Sequence, residues 1–168
     1  PFTDDPNRVA WWSPDPRAVI ELDRFHVPRR LERTLRSGRF ETSLDRAFPQ
    51  VIAACASTGT RKHATWITPA LSEAYIALHR AGWAHSVEVW RGGALVGGLY
   101  GVAVGGLFSG ESMFHRERDA SKAALVALVT HLRARDYQLF DIQQLTPHTA
   151  QFGAHEIPRR EYLLRLRA

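Results

Sequence analysis

The sequence predicts an α+β domain, on three observations. Segments of helical periodicity precede a block with strand composition and two Gly-Gly turns, one long amphipathic segment follows that block, and a short apolar run then returns as a further strand. Residues 1–20 are a Pro- and Trp-rich opening segment. Within it Trp11-Trp12-Ser13-Pro14-Asp15-Pro16-Arg17 holds no long helix, because proline lacks the N–H and biases the residue before it away from helix. Val19 to Leu22 reads as a short strand. Pro28 suits the first turn of a helix running to about Ser37, with Gly38 as its stop. Arg39 to Ser43 reads as a strand. Asp45 is placed as the N-cap of a helix carrying Phe48, Val51, Ile52 and Cys55 at i, i+3, i+4 and i+7. Thr68-Pro69 opens the next helix, with Leu71, Tyr75 and Leu78 as its buried stripe and Gly82 as its end.

The period then changes. Ser86 to Arg91 alternates, Gly92-Gly93 turns, Ala94 to Val104 is apolar and glycine-rich, and Gly105-Gly106 leads to Leu107-Phe108-Ser109-Gly110-Glu111, which together make a three-strand meander. A helix from about Asp119 to Arg135 carries Ala124, Leu125, Leu128, Val129 and Leu132 on one face. Gln138 to Gln143 is a further strand, Thr146 to Gln151 a short helix, and Pro158 to Leu166 a final amphipathic one.

Composition narrows the function classes. A chain of 168 residues, 45% hydrophobic and 23% charged, suffices for one well-filled core and is not a disordered tract. Polar residues or glycine interrupt every apolar run before it reaches the roughly 20 residues of a membrane span, and Pro1 to Pro6 lacks the layout of a signal peptide. The single cysteine, Cys55, has no internal partner, which fits a reducing compartment; a cytoplasmic protein with no membrane partner is expected. The formal charge is +5, and 20 of the 22 basic residues are arginine. Six arginines fall between Arg24 and Arg39, with Glu32 among them, an arrangement that favours polyanionic partners or a solvated face.

Few side chains have the spacing of known chemistry. The eight histidines lack an i, i+4 pair and a cysteine partner, so no metal site is expected. Cys55 falls on an apolar helical stripe and reads as a buried thiol. Ser109 is not in a nucleophile elbow, and no Gly pair opens a helix in a phosphate-loop pattern. Gly97-Gly98 inside a strand marks a bulge, close backbone packing or a ligand against the backbone. Glu111 is placed at a strand end immediately before the helix. Asp141 lies in the apolar strand Leu139-Phe140-Asp141-Ile142-Gln143, with Gln143 two residues on and on the same face. A carboxylate there must be paired or hydrogen-bonded, either in a structural network or in a polar site that orients an amine. Trp11, Trp12 and Trp66 fall in loops, with Thr60-Arg61-Lys62-His63 before the last, and serve either core-edge packing or base stacking.

These residues resemble a known family. Trp11-Trp12-Ser13-Pro14-Asp15-Pro16-Arg17, Thr65-Trp66-Ile67-Thr68, Ala84-His85-Ser86-Val87-Glu88-Val89-Trp90, Leu95-Val96-Gly97-Gly98-Leu99-Tyr100-Gly101-Val102, Gly110-Glu111-Ser112-Met113-Phe114, Ala120-Ser121-Lys122 and Glu156-Ile157-Pro158-Arg159-Arg160 occur in the order and spacing of the bacterial leucyl/phenylalanyl-tRNA–protein transferases. The resemblance runs from Trp11 to about Leu164. It implies a GNAT-like fold with a mixed, mostly antiparallel sheet and flanking helices. It further implies a single domain over 1–168, from which the family's small N-terminal domain is missing. The implied activity moves Leu or Phe from an aminoacyl-tRNA (Leu-tRNA or Phe-tRNA) to a protein beginning with Arg or Lys, marking it for N-degron-dependent degradation. The implied enzyme is a monomer needing no cofactor.

By position, the resemblance makes Asp141 and Gln143 the polar pair at the reaction centre. Asp141 would engage the acceptor's N-terminal region, and Gln143 would help its α-amine become a neutral nucleophile. Glu111 lies at the aminoacyl pocket; Leu99, Phe108, Leu125, Leu128 and Phe140 line its apolar cup; and Trp66 packs on the terminal adenosine. Arg29, Arg30, Arg33 and Arg36 are the candidates for tRNA phosphates, since 29, 33 and 36 share one helix face. Leu128 stands where a larger aromatic occurs in the family and Phe140 where an aliphatic occurs, which bears on the cup's selectivity. The chemistry asks little of the protein: an ester is already activated, so the amine needs positioning, loss of one proton and a stabilised tetrahedral oxyanion. A GNAT-like transferase using another acyl donor, or a catalytically silent tRNA-binding domain, remain the alternatives.

Overall fold

The structure, a computed structural model, describes residues 10–58 and 65–167. Thirteen elements follow in the order β1 (Arg17–Ile20), α1 (Arg29–Arg36), β2 (Glu41–Leu44), α2 (Phe48–Ser57), α3 (Pro69–Arg80), β3 (Ala84–Arg91), β4 (Ala94–Val104), β5 (Leu107–His115), α4 (Ala120–Arg133), β6 (Leu139–Gln143), α5 (Pro147–Ala150), β7 (His155–Ile157) and α6 (Arg159–Arg165). The strands form one seven-stranded sheet in the order β2-β3-β4-β5-β6-β1-β7. The meander β3-β4-β5 is antiparallel, as its Gly-Gly turns predict, and β5 pairs with β6 in parallel after the α4 crossover. This is the expected mixed, mostly antiparallel sheet with flanking helices.

Among the described residues two large cores form on the sheet, beside a smaller cluster of Val19, Leu139, Ile157 and Tyr162. One gathers α4 (Ala124, Leu125, Leu128, Val129, Leu132) with Val87, Val89, Leu99, Phe108 and Phe140. The other gathers α2 and α3 (Phe48, Val51, Ile52, Leu71, Tyr75) with Tyr100 and Phe114. Burial on both faces explains why β4 reads as a nearly continuous apolar run. Gly97 and Gly98 are explained by chain packing. A Cβ on Gly97 would lie 2.6 Å from the Ala120 Cβ, and one on Gly98 would lie 2.7 Å from the Val87 carbonyl oxygen. The close approach that the glycine pair announces is therefore made by α4 and β3.

Local expectations needed four corrections. Asp45 does not cap α2: it takes a left-handed conformation with φ 57° and accepts from the Ser86 N–H at 2.8 Å. The fully buried Glu88 serves the entrance of α2 instead, accepting from the Arg46 and Ala47 N–H groups and from the Ser43 and Ser86 hydroxyls. Leu78 is exposed, because His79 takes the inward place at that end of α3, its ring stacked on Phe48 at 4.4 Å. Glu111 lies inside β5, which runs on to His115, rather than at a strand end. Finally, β7 is a strand that its three residues could not announce; pairing with β1 creates it. Thr68 caps α3 as expected, accepting from the Leu71 N–H at 3.2 Å. Pro1 to Pro6 and Thr60 to His63 lie outside the described residues.

Candidate active site

The site grows from a defect in the sheet. Strands β5 and β6 pair only over Leu107–Ser109 and Leu139–Asp141, after which β5 stays with β4 and β6 stays with β1. Both strands are irregular at that point. The register of β4 on β5 shifts between Tyr100 and Gly101, so that Tyr100 faces Ser112 and Gly101 faces Gly110, leaving Glu111 as the extra residue. On β6 the shift leaves Ile142 as the extra residue between partners Asp141 and Gln143. A bulge re-aims side chains and ends pairing, and here two of them face each other across the opened gap.

Asp141 is fully buried and fully engaged. Arg17 Nε and Nη2 donate side-on to its two oxygens at 3.0 and 2.5 Å, the Tyr162 hydroxyl donates at 3.0 Å, and the Ser109 hydroxyl donates at 3.4 Å. The Gln143 backbone N–H also donates to Asp141 Oδ1, at 2.8 Å. The Arg17 guanidinium lies over the Tyr162 ring at 4.7 Å. Burial, and then the negative charge of Asp141, push the Tyr162 phenol up to about 12, so it remains a donor. Arg17 comes from β1 and Tyr162 from α6, so neither spacing nor periodicity could have attached them to Asp141.

Gln143 follows directly. Its φ is 65°, a left-handed value that a non-glycine residue holds only where its surroundings impose it. The Asp141 carboxylate on its N–H does so. Its side-chain Nε2 then donates across the gap to the Gly110 carbonyl and to Glu111 Oε2, both at 3.3 Å. Burial raises the Glu111 carboxyl above the ordinary carboxylate value, against the opposing hydrogen bonds from Gln143 and Tyr75. Burial, and then the charge of Glu111, raise the Tyr75 phenol as well.

Two chambers meet at this waist. One, a cup of about 410 Å3, is lined by Leu99, Leu125, Leu128, Phe140 and Ile142, with Glu111 at its mouth. The other, a cleft of about 540 Å3, is lined by Trp12, Pro14, Trp66 and Gln143. Gly110, Glu111, Ile142, Gln144 and Thr146 belong to both. Of the expected cup residues, Phe108 stands elsewhere: it packs edge-on behind Phe140 at 5.9 Å and lines a separate hollow with Leu128 and Tyr137. Trp66 packs against the α2–α3 core and also lines the cleft. Arg29, Arg30, Arg33 and Arg36 lie on α1, outside both chambers, with Arg36 paired to Glu32 at 2.6 Å. Cys55 is buried. Among the described residues, no group of three or more His, Cys, Asp or Glu side chains is placed to hold a metal ion.

Comparison with known proteins decides what this arrangement belongs to. A family model described as leucyl/phenylalanyl-tRNA protein transferase matches residues 19–167. The chain belongs to that family. Family membership makes it an aminoacyltransferase. Among curated members, the leucyl/phenylalanyl-tRNA–protein transferase of Phenylobacterium zucineum is 55% identical over 159 residues, covering 95% of this chain and 72% of the relative. The enzyme of the same name from Herpetosiphon aurantiacus is 53% identical over 160 residues, covering 95% and 82%. Among solved structures, the C-terminal domain of a putative lysylphosphatidylglycerol synthetase from Agrobacterium fabrum superposes with a TM-score of 0.62 at 12% identity, covering 90% of this chain and 64% of that one. An aminoglycoside acetyltransferase from an uncultured soil sample superposes at 0.51 with 12% identity, covering 67% and 82%. At such identities the likeness concerns the fold, which is GNAT-like. Sequence reasoning reached Asp141, Gln143 and Glu111 but missed Arg17, Tyr162 and Tyr75, which hold them.

Proposed function

We propose that this transferase takes leucine or phenylalanine from Leu-tRNA or Phe-tRNA and joins it to proteins beginning with Arg or Lys, acting in the cytoplasm as a monomer and marking its products for N-degron-dependent degradation. The observation that carries this reading is that the cup and the tryptophan-lined cleft share Gly110, Glu111, Ile142, Gln144 and Thr146 as a common wall, with Gln143 beside it. An aminoacyl-adenosine has the same shape, an apolar side chain and a planar nucleoside on either side of an ester. The side chain enters the cup, adenine packs on Trp66, and the carbonyl lies at the junction. Arginines on α1 hold phosphates of the acceptor stem without reading sequence.

Gln143 is the catalytic residue in this reading. With its Nε2 turned to Gly110 and Glu111, the amide oxygen is the end that receives an N–H of the incoming amine. Asp141 is a positioning residue, since its oxygens are taken by Arg17, Tyr162, Ser109 and the Gln143 N–H. The amine nitrogen attacks the ester carbonyl, the tetrahedral oxyanion collapses, the ribose oxygen leaves, and the proton lost by the amine goes to it. Held geometry supplies most of the advantage, because the ester is already activated. The test is incubation with labelled Leu-tRNA and peptides that differ only in the first residue. Label should pass to peptides beginning with Arg or Lys; label that stays on tRNA with all peptides would refute the assignment.

A further inference from the structure

The cup is not wholly apolar. His148, in the short helix α5, lines its wall beside His115 and Ser121. Its Nε2 is buried and, among the described residues, has no hydrogen-bond partner. The ring is not there by slack placement. Thr146 and Thr149 cap α5 reciprocally, the His148 carbonyl accepts from Gln151 Nε2 at 2.7 Å, and the ring leans on the fully buried Phe152 at 6.0 Å. Phe152 is in turn stacked on Phe25 at 5.4 Å. Burial, then the positive charges of Lys122 and His115, lower the His148 pKa, which keeps the imidazole neutral at pH 7. A neutral imidazole carries one acceptor nitrogen. Buried polar atoms in native proteins are paired with protein or ordered water, so one open in a cavity wall calls for a partner that a ligand atom can supply.

The donor offers one such atom. Leucine and phenylalanine side chains have no polar hydrogen, so the group that accompanies them to the cup and can donate is the α-amino group of the aminoacyl ester. Glu111, the carboxylate at the mouth, is already engaged by Gln143 and Tyr75. We infer that His148 Nε2 accepts a hydrogen bond from the donor's α-amino group and so fixes the aminoacyl moiety about its α-carbon. This inference rests on the donor assignment above and adds a positioning residue to it. The cup thereby reads two features of the donor: an apolar side chain by shape and an α-amine by one nitrogen.

The experiment compares Phe-tRNA with tRNA carrying 3-phenylpropionate, which keeps the ring and ester but lacks the α-amine, using a peptide beginning with Arg as acceptor. The protein should show a KM about tenfold lower for Phe-tRNA than for the deaminated donor, the size of one lost hydrogen bond. In His148→Leu the Phe-tRNA KM should rise to meet the other, collapsing the ratio to about one, with kcat changed by less than about twofold, as loss of uniform binding requires. His148→Gln, which can present an acceptor at a similar reach, should restore part of the ratio and serves if the leucine variant fails to fold. A ratio that stays near tenfold in both variants, or one already near unity in the unaltered protein, overturns the inference. Absence of any transfer from Phe-tRNA by the unaltered protein refutes instead the donor assignment on which it rests.

Discussion

Asp141 and Gln143 lie two residues apart yet should fail in different ways. Removing Asp141 leaves the Arg17 guanidinium buried without its partner, and breaking a buried pair in this manner costs about 3–5 kcal/mol. Asp141→Ala should therefore show both a lowered melting temperature and transfer reduced by at least about tenfold. Gln143→Ala deletes a half-buried amide but leaves the Asp141–Arg17 pair intact, and should reduce kcat by a similar factor with a smaller fall in melting temperature than Asp141→Ala, because what it loses is hydrogen bonds to Gly110 and Glu111, typically about 0.5–1.5 kcal/mol each. Thermal melts and single-turnover transfer separate the two. Glu111 adds a pH signature. Its folded value is raised, so the folded state holds a proton through the interval between the ordinary carboxylate value and the raised one, and stability falls as pH rises across it. Glu111→Gln should abolish that fall and be the more stable protein above the interval, measured as melting temperature from about pH 4 upward.

At the scale of elements, α1 is the clearest case for a surface role. It buries Leu31 alone and turns its arginines away from both cores. Substituting Arg29, Arg33 and Arg36 together should flatten the salt dependence of tRNA binding by about one unit of log–log slope for each phosphate no longer neutralised, read from titrations at several salt concentrations. An unchanged slope places the phosphate-binding surface elsewhere. Elements were legible where local chemistry acts alone: Thr68-Pro69 stopped the chain and started α3, Gly38 ended α1 at φ 69°, and the Gly-Gly pairs turned the meander. They were illegible where a distant strand decides. Asp45 has the chemistry of a cap, but Ser86 on β3 claims its carboxylate, and Glu88 from the same strand takes over the α2 entrance. β7 exists because β1 offers it an edge. The site followed the same division. Asp141 stood out as a charge in an apolar strand, whereas the bulges that isolate Glu111 and Ile142 are properties of paired strands, and period-two reasoning applied to one strand cannot see them.

For the molecule as a whole, donor choice is the property most exposed to test. Leu128 reaches the cup from α4 while Phe140 reaches it from β6, so the cup's width is set by how the helix sits on the sheet. Leu128→Phe should penalise Phe donors more than Leu donors, since overpacking costs about 1–3 kcal/mol and the larger ring has less room to yield. Competition between Leu-tRNA and Phe-tRNA on both proteins measures the change; an unmoved ratio would show that Leu128 does not touch the donor. The splay between β5 and β6 has one more consequence. Three ladder positions join β2-β3-β4-β5 to β6-β1-β7, and beyond them the side-chain amide of Gln143 spans from one half-sheet to the other. A donor seated as proposed would touch both halves and supply rungs that the polypeptide leaves out, so donor binding should lace the two half-sheets together and raise the melting temperature.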